Sequence, residues 1–458
     1  MARQAPNDLL RALLDEAGIT GSALAKAVNT LAAAEGMELH YTRTSVAKWL
    51  TGSRPAPPVA HLVAEVLTRR LGRTVPVEAT GLIPQTGGQP GGQAVPKGAT
   101  SPDAMLASLA SQDADPQRNP ALHRAPYTVA ASPPAWDDVH DPKPLRATES
   151  PRRRAGRREV TALRTMTATY ARLLEAHGGA QARTALATYL AHDAGAWLAL
   201  NTTEATHRLL LTETAELTCL LARMSADSTH HGLAQRYFHL SAGMAAEAGN
   251  RSLYAIVLRA TSAHAHQLGR RRTGMDQAAY DATPDSASPA TRAYLLVQLA
   301  LGLAHTGEPH QARRYLAQAE EHHARATEEN RPFADYPRAG LDFQRAQVLL
   351  ALDGPEPAIT ALRASLLHRP TQAHRSRALT HIQLAQLHLY TGHMEEASAH
   401  VHPCLEHASY LHSPLVRQHL LSLHTQLSAH RRHDPARRAL REIRATLNTQ
   451  FVPPKSRT

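Results

Sequence analysis

The stretch AYLLVQLALGLAHTGEPHQARRYLAQA (residues 293–319) decides the fold, because its pattern of small, large and turn residues recurs along the chain. It aligns with LTHIQLAQLHLYTGHMEEASAHVHPC (379–404), and between the two lies FQRAQVLLALDGPEPAITALRAS (343–365). An earlier copy is LLARMSADSTHHGLAQRYFHLS (220–241), and a degenerate copy spans residues 262–274. Recurrence of this kind indicates a stack of similar supersecondary units.

Each copy predicts a helix A, a turn near a glycine, and a helix B. The matched positions are Leu299, Ala300, Leu303, Gly307, Ala312, Leu316 and Ala319 in the first stretch; Leu384, Ala385, His388, Gly392, Ala397, Val401 and Cys404 in the second; Ala346, Leu349, Ala358, Leu362 and Ser365 between them; and Leu221, Ala222, Ala234, Phe238 and Ser241 in the earlier copy. Small residues let the two helices approach closely, and the large residue on helix B fills the groove between neighbours. Since single hairpins cannot bury their apolar faces, we expect a curved solenoid with a concave face.

This pattern resembles the tetratricopeptide repeat. The copies are wider apart than the usual repeat of about 34 residues, since 46 residues separate Ala300 from Ala346 and 39 separate Ala346 from Ala385. The Trp and Pro typical of that repeat are missing. We therefore expect tetratricopeptide-like hairpins with lengthened helices, and an unrelated helical bundle is the alternative.

Composition favours the same all-α fold class. Of the 458 residues, 43% are apolar but only 4% are aromatic, which suits helices packed through alanine and leucine better than a β-sandwich. The formal net charge is +11, and only five of the fifty basic residues are Lys. A GC-rich genome explains most of this Arg bias, but the charge also suits a polyanionic partner such as DNA.

Two cysteines, Cys219 and Cys404, are too few and too far apart in sequence for a disulfide framework or a cysteine-based zinc site. The first residues, MARQAPNDLLRALLDEAG, lack the apolar core of a signal peptide, and no run reaches the length of a transmembrane helix. We expect a cytoplasmic protein with no membrane partner.

The chain divides into four parts. Residues 1–82 form a compact helical domain, 83–155 a flexible linker, 156–449 the repeat domain and 450–458 a disordered tail. Twelve of the thirty prolines fall in 83–155, which we therefore expect to be disordered. The linker ends in the basic residues Arg152, Arg153, Arg154, Arg157 and Arg158, which form either a solvated run or a phosphate contact. The lone bulky aromatic Trp136 is a candidate to pin part of this segment onto the repeat domain.

Residues 19–72 carry the strongest functional motif. Thr20 can cap a first helix that contains Leu24 and Ala25, and Thr42 can cap a second helix that ends before Gly52. On this second helix Val46, Trp49 and Leu50 share one side and should be buried. The opposite side leaves polar residues free for a major groove, and with the flanking positions the candidate DNA-binding residues are Thr42, Arg43, Thr44, Ser45, Lys48 and Arg54.

This stretch resembles the Cro/repressor-like (XRE) helix-turn-helix, whose recognition helix typically ends with a Gly and an Arg-Pro, as Gly52, Arg54 and Pro55 do here. It departs from that family at Leu50, where an acidic residue is common, and in the long connection between Ala25 and Thr42. The order helix-turn-helix, linker, repeat array is similar to a group of actinobacterial one-component transcriptional regulators. That resemblance implies a homodimer, with a peptide, protein or small-molecule signal read by the array. A helical oligomerisation domain is the alternative for 19–72.

The twenty-nine histidines do not predict a metal site, because sequence neighbours such as His230 and His231 point in different directions on a helix. His430 and His433 have workable spacing but lack a zinc-like set of further ligands. No Gly-rich phosphate loop, HExxH or nucleophile elbow occurs, so we expect neither a cofactor nor an enzyme. The rival to a regulator is a protein-interaction scaffold that no longer reads specific DNA.

Overall fold

The computed structural model describes residues 6–34, 38–71, 75, 77–83, 102–128, 131–139, 155–200, 202–270, 274–327, 333 and 335–450. Within these ranges every regular element is a helix and no strand is present, so the all-α prediction is confirmed. None of the described helices is both long enough and apolar enough to cross a membrane. The predicted tail, 450–458, lies outside the described residues except for its first residue.

The N-terminal domain has its own hydrophobic core, built from residues between Leu10 and Leu82. Its elements are α1 (Asp8–Ala17), α2 (Gly21–Ala34), α3 (Arg43–Leu50), α4 (Pro57–Leu71) and a 3₁₀ turn (Val77–Thr80). Asn7 joins three of them, because its backbone N–H donates to the Leu50 carbonyl at 3.0 Å and its side-chain amide donates to the Thr80 carbonyl at 2.9 Å. Its Oδ1 also accepts the Leu10 N–H and so caps α1.

The predicted linker is ordered over much of its length, and for those residues the prediction of disorder is wrong. The segment contains α5 (Pro102–Asp113), α6 (Pro120–His123) and α7 (Trp136–Val139). Leu106 and Ala110 are fully buried in the same core as the repeat helices. Residues 84–101 and 140–154 lie outside the described part of the chain.

Buried polar contacts hold this segment, which we call the strap (102–139), on the repeat domain. Asp113 is fully buried, accepts a hydrogen bond from Tyr237 Oη at 2.9 Å and forms an ion pair with Arg183. Trp136 packs edge-on against Tyr254 with ring centroids 5.3 Å apart, so the expected pinning role of Trp136 is confirmed. Burial of Leu106 and Ala110 and the aromatic contact of Trp136 oppose the ordering entropy of this segment, and Arg183 compensates the buried charge of Asp113.

The repeat domain consists of consecutive helices, several of which pair with the next one as a hairpin. They are α8 (Arg157–His177), α9 (Gly179–Tyr189), α10 (Gly195–Leu198), α11 (Glu204–Asp227), α12 (His231–Glu247), α13 (Arg251–Gln267), α14 (Met275–Asp281), α15 (Pro289–Thr306), α16 (Pro309–Ala324), α17 (Arg338–Leu352), α18 (Pro355–His368), α19 (His374–Tyr390), α20 (Met394–Ala399), α21 (Val401–Ala408), α22 (Pro414–Ser428) and α23 (Asp434–Gln450). One turn of π-helix, Leu190–Ala194, joins α9 to α10.

The small residues predicted at the helix contacts are buried. Ala300, Ala346 and Ala385 on the A helices and Ala312, Ala358 and Ala397 on the B helices are at most 1% exposed. The turns near Gly307, Gly354 and Gly392 have φ values of 85°, 86° and 83°, in the left-handed region that favours glycine. The repeated arrangement of hairpins is thus confirmed.

A hydrogen bond from helix B to helix A recurs at equivalent positions. Ser241 Oγ donates to the Ala215 carbonyl and Ser365 Oγ to the Ala339 carbonyl, each at 2.7 Å, and Cys404 Sγ contacts the Ala378 carbonyl at 3.6 Å. Each pair is 26 residues apart. These small polar side chains explain why Ser and Cys replace Ala at the last repeat position.

The array closes on itself, because its first helices contact its last ones. The His412 N–H donates to the His177 carbonyl at 2.7 Å, and the Ala180 N–H donates to the His412 carbonyl at 3.1 Å. In the same junction Arg375 on α19 donates to Asp227 Oδ1 on α11 at 2.5 Å. We call this contact between α8, α9 and α11 on one side and α19 and α22 on the other the closure junction.

Candidate functional site

The start of α3 is fixed by two side chains. Ser45 Oγ accepts the Thr42 N–H at 3.2 Å, which satisfies a donor at the N-terminus of the helix. Asn29 on α2 holds the preceding loop, since its amide donates to the Tyr41 carbonyl at 2.8 Å and its Oδ1 accepts the Tyr41 N–H at 2.9 Å. The longer connection after Ala25 is therefore taken up by the extension of α2 to Ala34 and by this two-point contact.

The inner side of α3 is part of the N-terminal core, as predicted. Val46 is fully buried and Trp49 is 4% exposed, while Leu50 is half-buried. Trp49 also packs edge-on against Tyr41, with ring centroids 5.1 Å apart. These contacts fix the rotation of α3 about its axis, so they decide which residues face outward.

The outer side of α3 carries most of the candidate DNA-binding residues in exposed positions. Thr42, Arg43, Thr44 and Lys48 are exposed, and Ser45 is half-buried because of its capping contact. Arg43 and Thr44 lie in the first turn of the helix, where free N–H groups add a positive dipole end. The side of α3 available to a partner thus offers two cations, two hydroxyls and a helix N-terminus.

The turn after α3 brings the last candidate residue to the surface. Gly52 has a φ of 101°, and the Ser53 N–H donates to the Lys48 carbonyl at 2.9 Å, which ends the helix. Arg54 is exposed in the loop before α4. Leu50, which departs from the acidic residue common at this position, uses its carbonyl to accept the Asn7 N–H.

The comparison with protein families agrees with the limits of this domain. Residues 10–83 match the family model described as the SP15 N-terminal domain. The matched range covers the N-terminal core from its first to its last helix and ends next to Leu82. No curated protein matches the chain.

The basic run at residues 152–158 is only partly described. Arg157 and Arg158 are exposed at the N-terminus of α8, next to Gly156, whose N–H donates to Glu159 Oε2 at 2.7 Å. Arg152, Arg153 and Arg154 lie outside the described residues. The described pair is accessible to a partner.

The histidines of α19 face His400, between α20 and α21, and His407 on α21 across the hairpin, an arrangement that the sequence reasoning missed. Nδ1 of His381 lies 3.1 Å from Nδ1 of His400, and Nδ1 of His374 lies 3.0 Å from Nδ1 of His407. His388 stacks on His400 with centroids 5.6 Å apart. We call six residues the histidine ladder: His374, His381 and His388 on α19, and His393, His400 and His407 facing them. The signal in the sequence was the spacing of seven residues within each of these two series.

Burial, neighbouring imidazoles and arginines favour the neutral forms of His381 and His400. Arg377 Nε donates to His407 Nε2 at 3.0 Å, so the proton of that imidazole lies on Nδ1 and is donated to His374. Burial, together with His400, His407 and Arg377, lowers the pKa of His381 to about 3. Burial, together with His388 and Arg363, lowers the pKa of His400 to about 4. Within the described ranges no group of three or more His, Cys, Asp or Glu is arranged to hold a metal ion.

We expect the repeat domain to lose stability as the pH falls below neutrality. Unfolded histidines bind protons near the ordinary pKa of 6.5, whereas His381 and His400 resist protonation until about pH 3 and 4. Their contribution is complete above pH 6.5 and is lost progressively as the pH falls toward these lowered values. The free energy of unfolding in urea, measured between about pH 7.5 and about pH 5, checks this expectation.

The double variant His381→Leu/His400→Leu removes one titrating pair and should flatten the pH dependence. His402→Leu is the matched control, because its side chain is 80% exposed and its removal should leave the slope unchanged. Burial lowers the pKa of His231 to about 4 and that of His264 to about 3. This pair should therefore contribute to the pH dependence of the free energy of unfolding in every variant. Identical slopes for the double variant and the wild-type chain would contradict the role of the ladder.

Proposed function

We propose that the chain is a sequence-specific DNA-binding transcriptional regulator of the XRE type. The observation that carries this proposal is α3, a short helix that is buried on one side through Val46 and Trp49 and presents Arg43 and Lys48 on the other. A helix held in this way can enter the major groove without rearranging the core behind it. The net charge of +11 favours association with a polyanion.

In this function some of the candidate residues contact bases and others contact phosphates. Arg43 reads a base edge, most favourably a guanine through two hydrogen bonds, and Lys48 reaches a second base or a phosphate. Thr42, Thr44 and Arg54 contact the phosphate backbone on either side of the groove. Ser45 mainly holds the helix start, since its hydroxyl accepts the Thr42 N–H.

The repeat array supplies dimerisation and signal reading in the same proposal. One helix-turn-helix reads only a short half-site, and a homodimer binds two of them with higher affinity. A cytoplasmic location follows from this role. Because the strap packs on the repeat domain, dimerisation through the array belongs to residues 102–449 rather than to 156–449 alone. A scaffold without specific DNA reading is the competing function.

Alanine substitution of Arg43 tests the proposal. We expect Arg43→Ala to weaken binding to a selected DNA site by about 1–3 kcal/mol, since it removes contacts to a base edge. Lys48→Ala should weaken binding less and lower the dependence on salt concentration, as expected for a phosphate contact. Gel-shift titrations on a site selected from random duplexes measure both effects.

Arg325→Ala is the control for the loss of one positive charge, because Arg325 is exposed on the repeat domain and, among the described residues, forms an ion pair with Glu321 four residues earlier. It should bind the selected site as the wild-type chain does. If Arg43→Ala and Arg325→Ala bind equally well, α3 is not the recognition helix. If random-duplex selection enriches no sequence, the scaffold function is favoured.

A further inference from the structure

A cluster of arginines and tyrosines connects successive hairpins of the array. The guanidinium of Arg259 on α13 lies 3.8 Å from the ring centroid of Tyr294 on α15, and Nη1 of Arg259 donates to the Tyr294 hydroxyl at 2.9 Å. The Tyr294 ring packs edge-on against Tyr336, just before α17, with centroids 5.1 Å apart. Arg259 is 6% exposed, so this charge is held inside the array rather than in solvent.

Arg369, which follows α18, continues the cluster toward the closure junction. Its Nη2 donates to the Ala339 carbonyl at 3.2 Å and to Ser365 Oγ at 3.1 Å. Burial lowers the pKa of Arg369; Glu175 opposes this effect, and the nearby charges of Arg375 and Arg377 add to it. We call Arg259, Tyr294, Tyr336 and Arg369 the inner cluster.

Three polar atoms of the inner cluster are buried and have no hydrogen-bond partner among the described residues. They are Nε of Arg259, Nε of Arg369 and the hydroxyl of Tyr336. Burial raises the pKa of Tyr336, so its hydroxyl keeps its proton and is a donor. Gln298 lies one turn after Tyr294 on the same side of α15, is 1% exposed, and also has no partner for its amide. Buried donors left unpaired are destabilising, so a ligand that accepts hydrogen bonds from these atoms stabilises the folded chain.

The charge of the surroundings is unbalanced. Glu175 and Asp227 are the carboxylates nearest to Arg375, and both are engaged by it. Asp342, which acts on Tyr336, is itself held by Arg338 and His368. No carboxylate among the described residues pairs with Arg259 or Arg369. The inner cluster therefore offers two guanidinium groups and a phenol to a negative charge.

We infer that the inner cluster is a binding site for a small oxyanion, a carboxylate- or phosphate-bearing molecule, and that this molecule is the signal of the proposed regulator. Arg259 and Arg369 provide charge-assisted hydrogen bonds through their free Nε atoms, and Tyr336 donates a third. Gln298 supplies both a donor and an acceptor for a neighbouring polar group of the ligand. Because Arg369 also interacts with Glu175 and Arg375, an anion bound here acts on the charges of the closure junction.

Thermal unfolding of the full chain with three probes tests the site and identifies the oxyanion. The probes are inorganic phosphate, succinate and, as a non-anionic control, succinamide. We expect a midpoint that rises and saturates with phosphate or with succinate, as for a ligand that binds only the folded state, and no rise with succinamide. Saturation with one anion alone assigns the source. A rise that is linear and equal for both anions is an ionic-strength effect and overturns the inference.

Substitutions then connect the binding to the cluster. Arg369→Gln should reduce the affinity for the effective anion by about tenfold or more, because it removes a charged donor. Tyr336→Phe deletes only an unpartnered hydroxyl, so it keeps the fold and should still weaken binding several-fold. Tyr390→Phe is the matched control, since Tyr390 is 80% exposed and outside the cluster. Unchanged affinity in Tyr336→Phe and Arg369→Gln overturns the site.

The regulatory half of the inference rests on the proposed function and is tested separately. The effective anion should shift the gel-shift affinity of the wild-type chain, and Tyr336→Phe should need a several-fold higher anion concentration for the same shift. A saturating anion that leaves DNA affinity unchanged removes the signal role but not the oxyanion site. Absence of any selected DNA site refutes the regulator and leaves the thermal result standing, so the two failures are distinguishable.

Discussion

Arg375→Met should destabilise the repeat domain by about 3–5 kcal/mol, because it leaves a buried carboxylate without its cation. Asp227 is fully buried and receives only two described hydrogen bonds, from Arg375 Nε at 2.5 Å and from the Gly179 N–H at 2.7 Å. Arg375 also lies 3.7 Å from Glu175, so its loss affects two anions of the closure junction. Urea unfolding measures the stability, and small-angle scattering should show a larger radius of gyration as the first and last hairpins separate.

Arg313→Met is the matched control for this prediction. Arg313 also pairs with one aspartate, Asp353, but the two side chains are 51% and 27% exposed, and solvent screens such surface pairs, so their loss costs far less than that of a buried pair. Adding Asp227→Asn to Arg375→Met should recover part of the lost stability, since the neutral amide no longer needs a buried cation. Equal urea midpoints for the Arg375 and Arg313 variants would show that the junction does not stabilise the array.

Trp49→Ala should unfold the N-terminal domain selectively. The substitution removes a large side chain that is 4% exposed, and such a change costs about 3–5 kcal/mol. A small core such as this one, built from residues 10–82, gives the domain a low free energy of unfolding. Hydrogen exchange should show loss of protection in α1–α4 and unchanged protection in the repeat helices, whose core is separate.

Ala47→Ser tests the same helix at an exposed position and should change stability by no more than about 0.5 kcal/mol. Arg43→Ala should likewise leave hydrogen exchange unchanged, so that its effect on DNA binding is not an effect on folding. If α3 stays protected in Trp49→Ala, the tryptophan does not hold α3 in place and the inner side of α3 has been misassigned.

The hairpins and the two sides of α3 could be predicted because both depend on local periodicity. Ala300, Ala346 and Ala385 recur in register, and each sits where helices touch. Likewise Val46 and Trp49 are three residues apart and fall on one side of a helix. In each case the pattern lies within one helix or one hairpin.

The strap and the closure junction could not be predicted, because their contacts span long separations. Asp113 meets Tyr237 at a separation of 124 residues, and Arg375 meets Asp227 at 148. No local pattern identifies which of many Arg and Asp residues pair at such distances. For the strap, the Pro-rich composition of 83–155 hid the helix α5, whose Leu106 and Ala110 reach the core.

For the candidate DNA site, too, the sequence predicted the local features but not the contacts between helices. Exposure of Arg43 and Lys48 followed from the helix register, whereas the role of Asn29 in holding Tyr41 depends on how α2 and α3 cross. The histidine ladder was similarly hidden, since His381 and His400 come together only through the hairpin. Their spacing of seven residues along each helix was visible, but the pairing between helices was not.

Footprinting of the full chain on the DNA upstream of its own coding sequence is the most direct test of sequence-specific DNA binding through α3. We expect a protected region with two half-sites about 10–10.5 base pairs apart, or a multiple of that spacing, because a dimer reads one face of the duplex. Protection should disappear in Arg43→Ala and persist in Arg325→Ala. Unchanged protection in the Arg43→Ala/Lys48→Ala double variant would show that α3 does not read the DNA sequence.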